Sequence, residues 1–206
     1  MPVPVPSSTH PNIDALMNEE VEKDRAPRRL VHFIAAAFGG LVRAHLSEPG
    51  NFDDELQAQF KEPLKPGVTN NAPTKEEIIP VKTHLYALLL DLSKVLRLNS
   101  ICLINALILV ERAIRAGLSF RISTCRRIIV AALMLSTKEH FDEVMITSYF
   151  KRALAAKLGS SWQELGTSLP TLERVFFGPV LDYHASVSLE VCEQYCQTLR
   201  QLMLES

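Results

Sequence analysis

The chain is poor in the features that usually announce a function. It has four cysteines (Cys102, Cys125, Cys192, Cys196), too few for a disulfide scaffold, and a single Trp. Aromatic residues make up 7% of the chain and the formal net charge is −1, so nothing draws it generally toward nucleic acid or an anionic membrane. The longest nearly apolar runs, Ile101 to Val110 and Ile128 to Leu135, are about half of the ~20 residues that cross a bilayer and read as core. The start, Met-Pro-Val-Pro-Val-Pro, lacks the basic residues and long apolar stretch of a secretory signal. The expectation is an intracellular protein, cytoplasmic and/or nuclear, with free thiols and no membrane or nucleic-acid partner.

Catalytic signatures are missing too. There is no G-x-x-x-x-G-K-[ST], G-x-G-x-x-G, G-x-S-x-G or H-E-x-x-H, so no phosphate cradle, nucleophile elbow or zinc pair is encoded locally. Cys192 and Cys196 lie four apart with His184 nearby, but structural zinc takes four ligands and buried thiols are common. No catalytic residue, cofactor or metal is expected.

What the chain does have is material for one core: 206 residues, 47% hydrophobic and 22% charged. Proline divides it, with ten of twelve lying between Pro2 and Pro80. Residues 1–80 carry 8 Lys+Arg against 12 Asp+Glu, and residues 81–206 carry 14 against 11, so neither part is extreme. Residues 1–26, Pro- and Ser-rich and then acidic, read as a disordered tail. Residues 27–47 read as a docking helix with Gly39-Gly40 weakening its middle. Residues 48–80, with five prolines, read as a linker, either a functional loop or a connection letting that helix pack at a distance.

From 81 to 206 the apolar spacing is helical throughout, which makes the fold class all-α. Helices are expected at about Lys82 to Leu96, Asn99-Ser100 to Ala116 with Gly117 as the stop, Ser123-Thr124 to Lys138 and Met145 to Leu158. A capping box at Ser160-Ser161 and Gln163-Glu164 opens a turn, a fifth helix has Pro170 in its first turn, and Ser186 to Leu204 make the last. The second and third of these are apolar nearly all round, so other helices must surround them.

The segment ICLINALILVERAIRAGLSFRISTCRRIIVAALMLSTKEHF, residues 101–141, with its Glu111-Arg112 pair and its Thr137-Lys138 end, resembles the heart of a cyclin box. LPTLERVFF at 169–177, then Leu181-Asp-Tyr, is similar to the fifth box helix with its glutamate, Glu173. The likeness covers about residues 80–206, and is greatest to the single-box group of cyclin Y, the P/U-type cyclins and the fungal phosphate-pathway cyclins, in which an extra N-terminal helix precedes the box. It implies a five-helix box with that extra helix and a C-terminal flanking helix. It also implies a non-catalytic regulatory subunit, monomeric alone, that binds a cyclin-dependent protein kinase in cell-cycle or related signalling. By position, Lys138 and Glu173 would hydrogen-bond the kinase, Leu135 and Phe177 would form the apolar centre of the contact, and Glu111 would be the structural ion-pair acid. The chain departs from the family at Glu139, where an aromatic is usual, and in lacking a Met-Arg-Ala-Ile-Leu patch.

Local chemistry offers plainer accounts. Lys138 near a helix C-terminus and Glu173 in a first turn each complement the helix dipole for about 0.3–1 kcal/mol without a partner. The resemblance makes Lys82 the partner of Glu111, whereas local spacing offers Arg115, four residues along the same helix. Arg121, Arg126 and Arg127 read either as a small phosphate-binding patch or as a solvated helix start. An adaptor or a transcription-factor-like binding module on the same helical fold, without a kinase, is the alternative function.

Overall fold

The computed structural model describes residues 26–45, 51–52, 54–62, 75–140, 146–158 and 169–204. Of the tail read over 1–26, residues 1–25 lie outside the described residues, as does the capping box at 160–164, and Ala26 departs from the reading: it is buried and its N–H donates to the Leu98 carbonyl (2.9 Å). Helices α1 (Arg28–Ala44), α2 (Asp54–Phe60), α3 (Lys75–Leu96), α4 (Ser100–Arg115), α5 (Cys125–His140) and α6 (Ile146–Leu158) follow in order. A helix over 169–175 then widens into a π-helical turn, Phe176–Val180 (together α7), before α8 (Leu189–Leu204). Among the described residues there is no strand, and the fold is all-α.

The helices α4 and α5 form the axis. From Cys102 through Val110, and from Ile128 through Thr137, every residue is buried, which is what their lack of a polar face demands. They pack most extensively on each other, with α1 against α4, α8 against α4, and α2, α6 and α7 against α5. Their polar side chains are used internally: Ser136 Oγ donates to the Cys102 carbonyl (2.9 Å) and Asn105 Nδ2 donates to His140 Nε2 (2.9 Å). At about 1.5–3 kcal/mol for each fully buried large aliphatic side chain, this seam is the main source of stability.

Local chemistry sets the helix ends. Asn99 caps α4 by accepting from the Cys102 amide (2.9 Å). At the other end Gly117 N–H donates to the Ile114 carbonyl and Leu118 N–H to that of Ala113, the paired bonds of a Schellman stop. Gly117 has φ +104°, and a Cβ there would stand 2.7 Å from Asn51 Cβ, so glycine is required twice over.

Helix α1 buries Leu30, Val31, Ile34, Ala35, Phe38 and Val42 along one stripe, chiefly against α3. It docks on α3 and α4, and among the described residues its buried stripe belongs to the same hydrophobic cluster as the other helices. Gly39 is buried beside Lys82, whereas Gly40 is exposed with nothing near its missing Cβ.

The reading of 48–80 as a linker is corrected at two places. Helix α3 begins at Lys75, ahead of the expected start near Lys82, and α2 occupies Asp54–Phe60. Residues 51–52 and 54–62 lie along the corner between α4 and α5: Asn51 N–H donates to the Gly117 carbonyl (2.8 Å) and Glu62 N–H to that of Ser123 (2.7 Å). Three residues here, Gln57, Phe60 and Glu62, are buried, and the piece they anchor lies between Pro49 and Pro63 and holds no proline itself.

Two glycine substitutions should separate propensity from geometry. Gly40→Ala is expected to stabilise by about 1 kcal/mol, raising Tm by about 2–4 °C. Gly117→Ala is expected to destabilise by about 1–3 kcal/mol through strain and its clash with Asn51. Thermal unfolding followed by circular dichroism reads both.

Candidate functional site

The last turn of α5 carries Lys138 to the surface, just past the buried run that ends at Thr137. Glu173 sits on α7, which packs across α5 at this level. The two meet: Lys138 Nζ donates to both carboxylate oxygens of Glu173, at 2.6 and 2.7 Å. Their side chains are 35% and 18% exposed, so the pair is neither sealed in the core nor split across the molecule. An ion pair this wet is worth about 0–1 kcal/mol, a weak reason by itself for two helices to place opposite charges together.

One turn after Glu173 comes Phe177, partly buried and packed edge-on against Tyr183, with ring centroids 5.3 Å apart. Tyr183 is the residue that sequence reasoning missed as a site candidate. It is 70% exposed, yet its ring also lies over Gly178, where an added Cβ would be 3.4 Å away. Its backbone, like that of Asp182, is left-handed (φ 60° and 48°), and its N–H donates to the Phe177 carbonyl (2.9 Å). Consecutive left-handed non-glycine residues cost energy that surrounding contacts must offset. Nothing in the composition of His-, Ala- and Ser-flanked Tyr183 signals that geometry.

Leu135 does not join this surface. It is 9% exposed and belongs to the hydrophobic cluster, because the buried face of α5 continues through Thr137. The apolar part of the site is the Phe177–Tyr183 pair instead.

Glu111 pairs with Arg115 (3.2 Å) and not with Lys82, and Tyr195 Oη on α8 donates to the same carboxylate oxygen (2.5 Å). Burial, with the adjacent Glu111 carboxylate, pushes the Tyr195 phenol up to about 12, so it stays a donor at neutral pH. Its neighbour Arg112 donates from Nη1 to the Ser186 carbonyl (2.8 Å) and to that of His184 (3.4 Å). The Glu111-Arg112 pair thus ties α4 to the segment that follows Tyr183.

Two of the three arginines, Arg126 and Arg127, are engaged by residues that precede α5, which neither reading of them anticipated. Arg126 makes an ion pair with the buried Glu62, and Arg127 Nη1 donates to the Gln59 carbonyl (2.9 Å). Burial raises the Glu62 carboxyl above the usual range, and the nearby Arg126 and Arg127 guanidiniums pull it back. These charges fasten residues 51–62 to α5.

The remaining titratable groups give little chemistry. Burial pushes the Cys102 thiol up to about 11 and that of Cys125 to about 12, which keeps both protonated and unreactive. Among the described residues, no group of three or more His, Cys, Asp and Glu stands together as metal ligands, and no helix is long and apolar enough to cross a membrane. What the geometry brings together is a cation and an anion in one bridge, followed one turn along α7 by two packed aromatic rings. No protein-family model, curated protein or solved structure matches the chain.

Removing Arg126 tests the fastening. Arg126→Ala leaves Glu62 buried without its ion-pair partner, and is expected to cost roughly 2–3 kcal/mol, below the full ~3–5 of a sealed pair because the arginine is partly exposed. The folded-state pKa of Glu62 then rises further above its unfolded value, so the folded state binds the proton more tightly and the loss shrinks as pH falls. Urea unfolding at pH 8 and pH 5.5 should show the larger deficit at pH 8.

Proposed function

We propose that this chain is a cyclin-like regulatory subunit that binds and activates a cyclin-dependent protein kinase. The carrying observation is the Lys138–Glu173 pair, a bidentate bridge between α5 and α7 beside the Phe177–Tyr183 rings. In the cyclin box that 101–141 and 169–177 resemble, a lysine and a glutamate at these positions face the kinase. Pairing them across two helices fixes both side chains and leaves donor and acceptor capacity toward a partner. Tyr183 supplies an exposed aromatic of the kind enriched at interface centres.

The mechanism follows from what kinases need. Their C-helix must move inward so that its glutamate can pair with the lysine that positions ATP. A surface that binds the inward arrangement more tightly than the outward one shifts the population toward it, by no more than its difference in affinity. The site here carries directional charges beside rings, which lets it discriminate between two positions of a docked helix. The engagement of Arg126 and Arg127 by Glu62 and Gln59 takes two cations away from a DNA-binding reading.

The test is co-purification with cyclin-dependent kinase catalytic subunits and assay of substrate phosphorylation. Lys138→Glu and Glu173→Ala are each expected to weaken binding by ~2–5 kcal/mol while leaving the helical circular dichroism unchanged. The exchanged variant Lys138→Glu/Glu173→Lys can rebuild the internal bridge with reversed polarity. Binding should stay lost in it if the charges face a partner; restored binding would mean that the bridge matters only within the fold. Tyr183→Ala should also reduce binding with little change in Tm.

A further inference from the structure

We infer that Asn51 and the segment 54–62 act as a strap whose seating positions α7, and with it Glu173, Phe177 and Tyr183, through the buried contact between Phe60 and Phe176. The inference deepens the kinase-docking reading and rests on it for its functional consequence, though the mechanical coupling is measurable without a partner.

The strap is held at both ends and in its middle. Asn51 and Glu62 donate backbone bonds to Gly117 and Ser123, and Gln57 accepts from the Ser119 amide (3.3 Å). Arg126 and Arg127 clamp its end through Glu62 and Gln59. Every one of these polar ties goes to the α4–α5 corner or the head of α5. Phe60 goes elsewhere: fully buried, its ring meets that of Phe176 edge-on, with centroids 6.2 Å apart. The strap therefore bridges α5, which carries Lys138, and α7, which carries Glu173.

Phe176 is well placed to transmit the contact. It is fully buried, opens the π-helical turn, and its carbonyl accepts from Leu181 N–H (3.0 Å), the bond that closes that turn. The neighbouring Phe177 carbonyl holds Tyr183, and Glu173 lies three residues upstream. A widened turn has poorer internal geometry than an α-helical one, so its shape depends more on what packs against it. On the strap side that packing is Phe60, a positioning residue that touches no partner.

Hydrogen–deuterium exchange on the free protein tests the coupling. In Phe60→Leu, which keeps apolar volume but removes the ring, amides of 176–183 should exchange about tenfold faster, with those of 103–110 in α4 changed less than twofold. Phe60→Ala should widen the same contrast. Equal acceleration in both segments, or none in 176–183, overturns the inference, since Phe60 would then add only general stability. With a bound kinase, Phe60→Leu should weaken affinity about tenfold, and the loss should largely vanish in a Glu173→Ala background. Fully additive losses would likewise overturn transmission through α7. If the unaltered chain binds no cyclin-dependent kinase, the functional proposal fails while the exchange result still judges the strap.

Discussion

Two helices without a polar side cannot end at water, and that constraint organises this molecule. With α4 and α5 buried all round over their central turns, most of the remaining helices are wrapping whose position is set by how much of the pair each covers. The amphipathic α1 does this with a stripe, α3 covers α1, and the short strap closes the corner. Polar residues inside the pair are tolerated because each bonds within it, as Ser136 does to Cys102. The rigidity that follows gives Lys138 a fixed launch point at the end of α5.

The helical plan was legible because it rests on periodicity and on caps. Asn99 and Gly117 marked the ends of α4 through side-chain and backbone chemistry that needs no tertiary context. The strap was hidden for the opposite reason. Its seven-residue helix is too short to display a period, and two of its three buried anchors, Gln57 and Glu62, are polar. Burial of such residues depends on partners sixty positions away, at Ser119 and Arg126. The engagement of Arg126 and Arg127 was hidden on the same account, since Glu62 and Gln59 are remote in sequence from them.

The candidate site was half legible. Lys138 and Glu173 were singled out by resemblance, and their meeting needs the packing of α7 on α5, which no local pattern encodes. Leu135 went the other way: spacing put it one turn before Lys138 on the same face, but burial along α5 runs one residue beyond Ser136 before the surface begins. Glu111 had one partner by spacing, Arg115, and one by resemblance, Lys82; the first holds it, with a further group, Tyr195, arriving from α8. Tyr183 was out of reach, because two left-handed residues in a row follow from the turn they close and not from their own preferences.

The π-helical turn gives chain length a role of its own. Five residues, Phe176–Val180, span what an α-helical turn would cover with fewer, so the turn behaves like a single residue slipped into an ordinary helix. Excising one residue there would regularise the spiral and swing everything after it by roughly 100°. Leu181 to Tyr183 would then emerge on another side of the rod, and the aromatic neighbours would part with no side chain altered. The arrangement of side chains at this end of the molecule is thus written in spacing as much as in residue type, and a comparison that counts identities alone would pass over it.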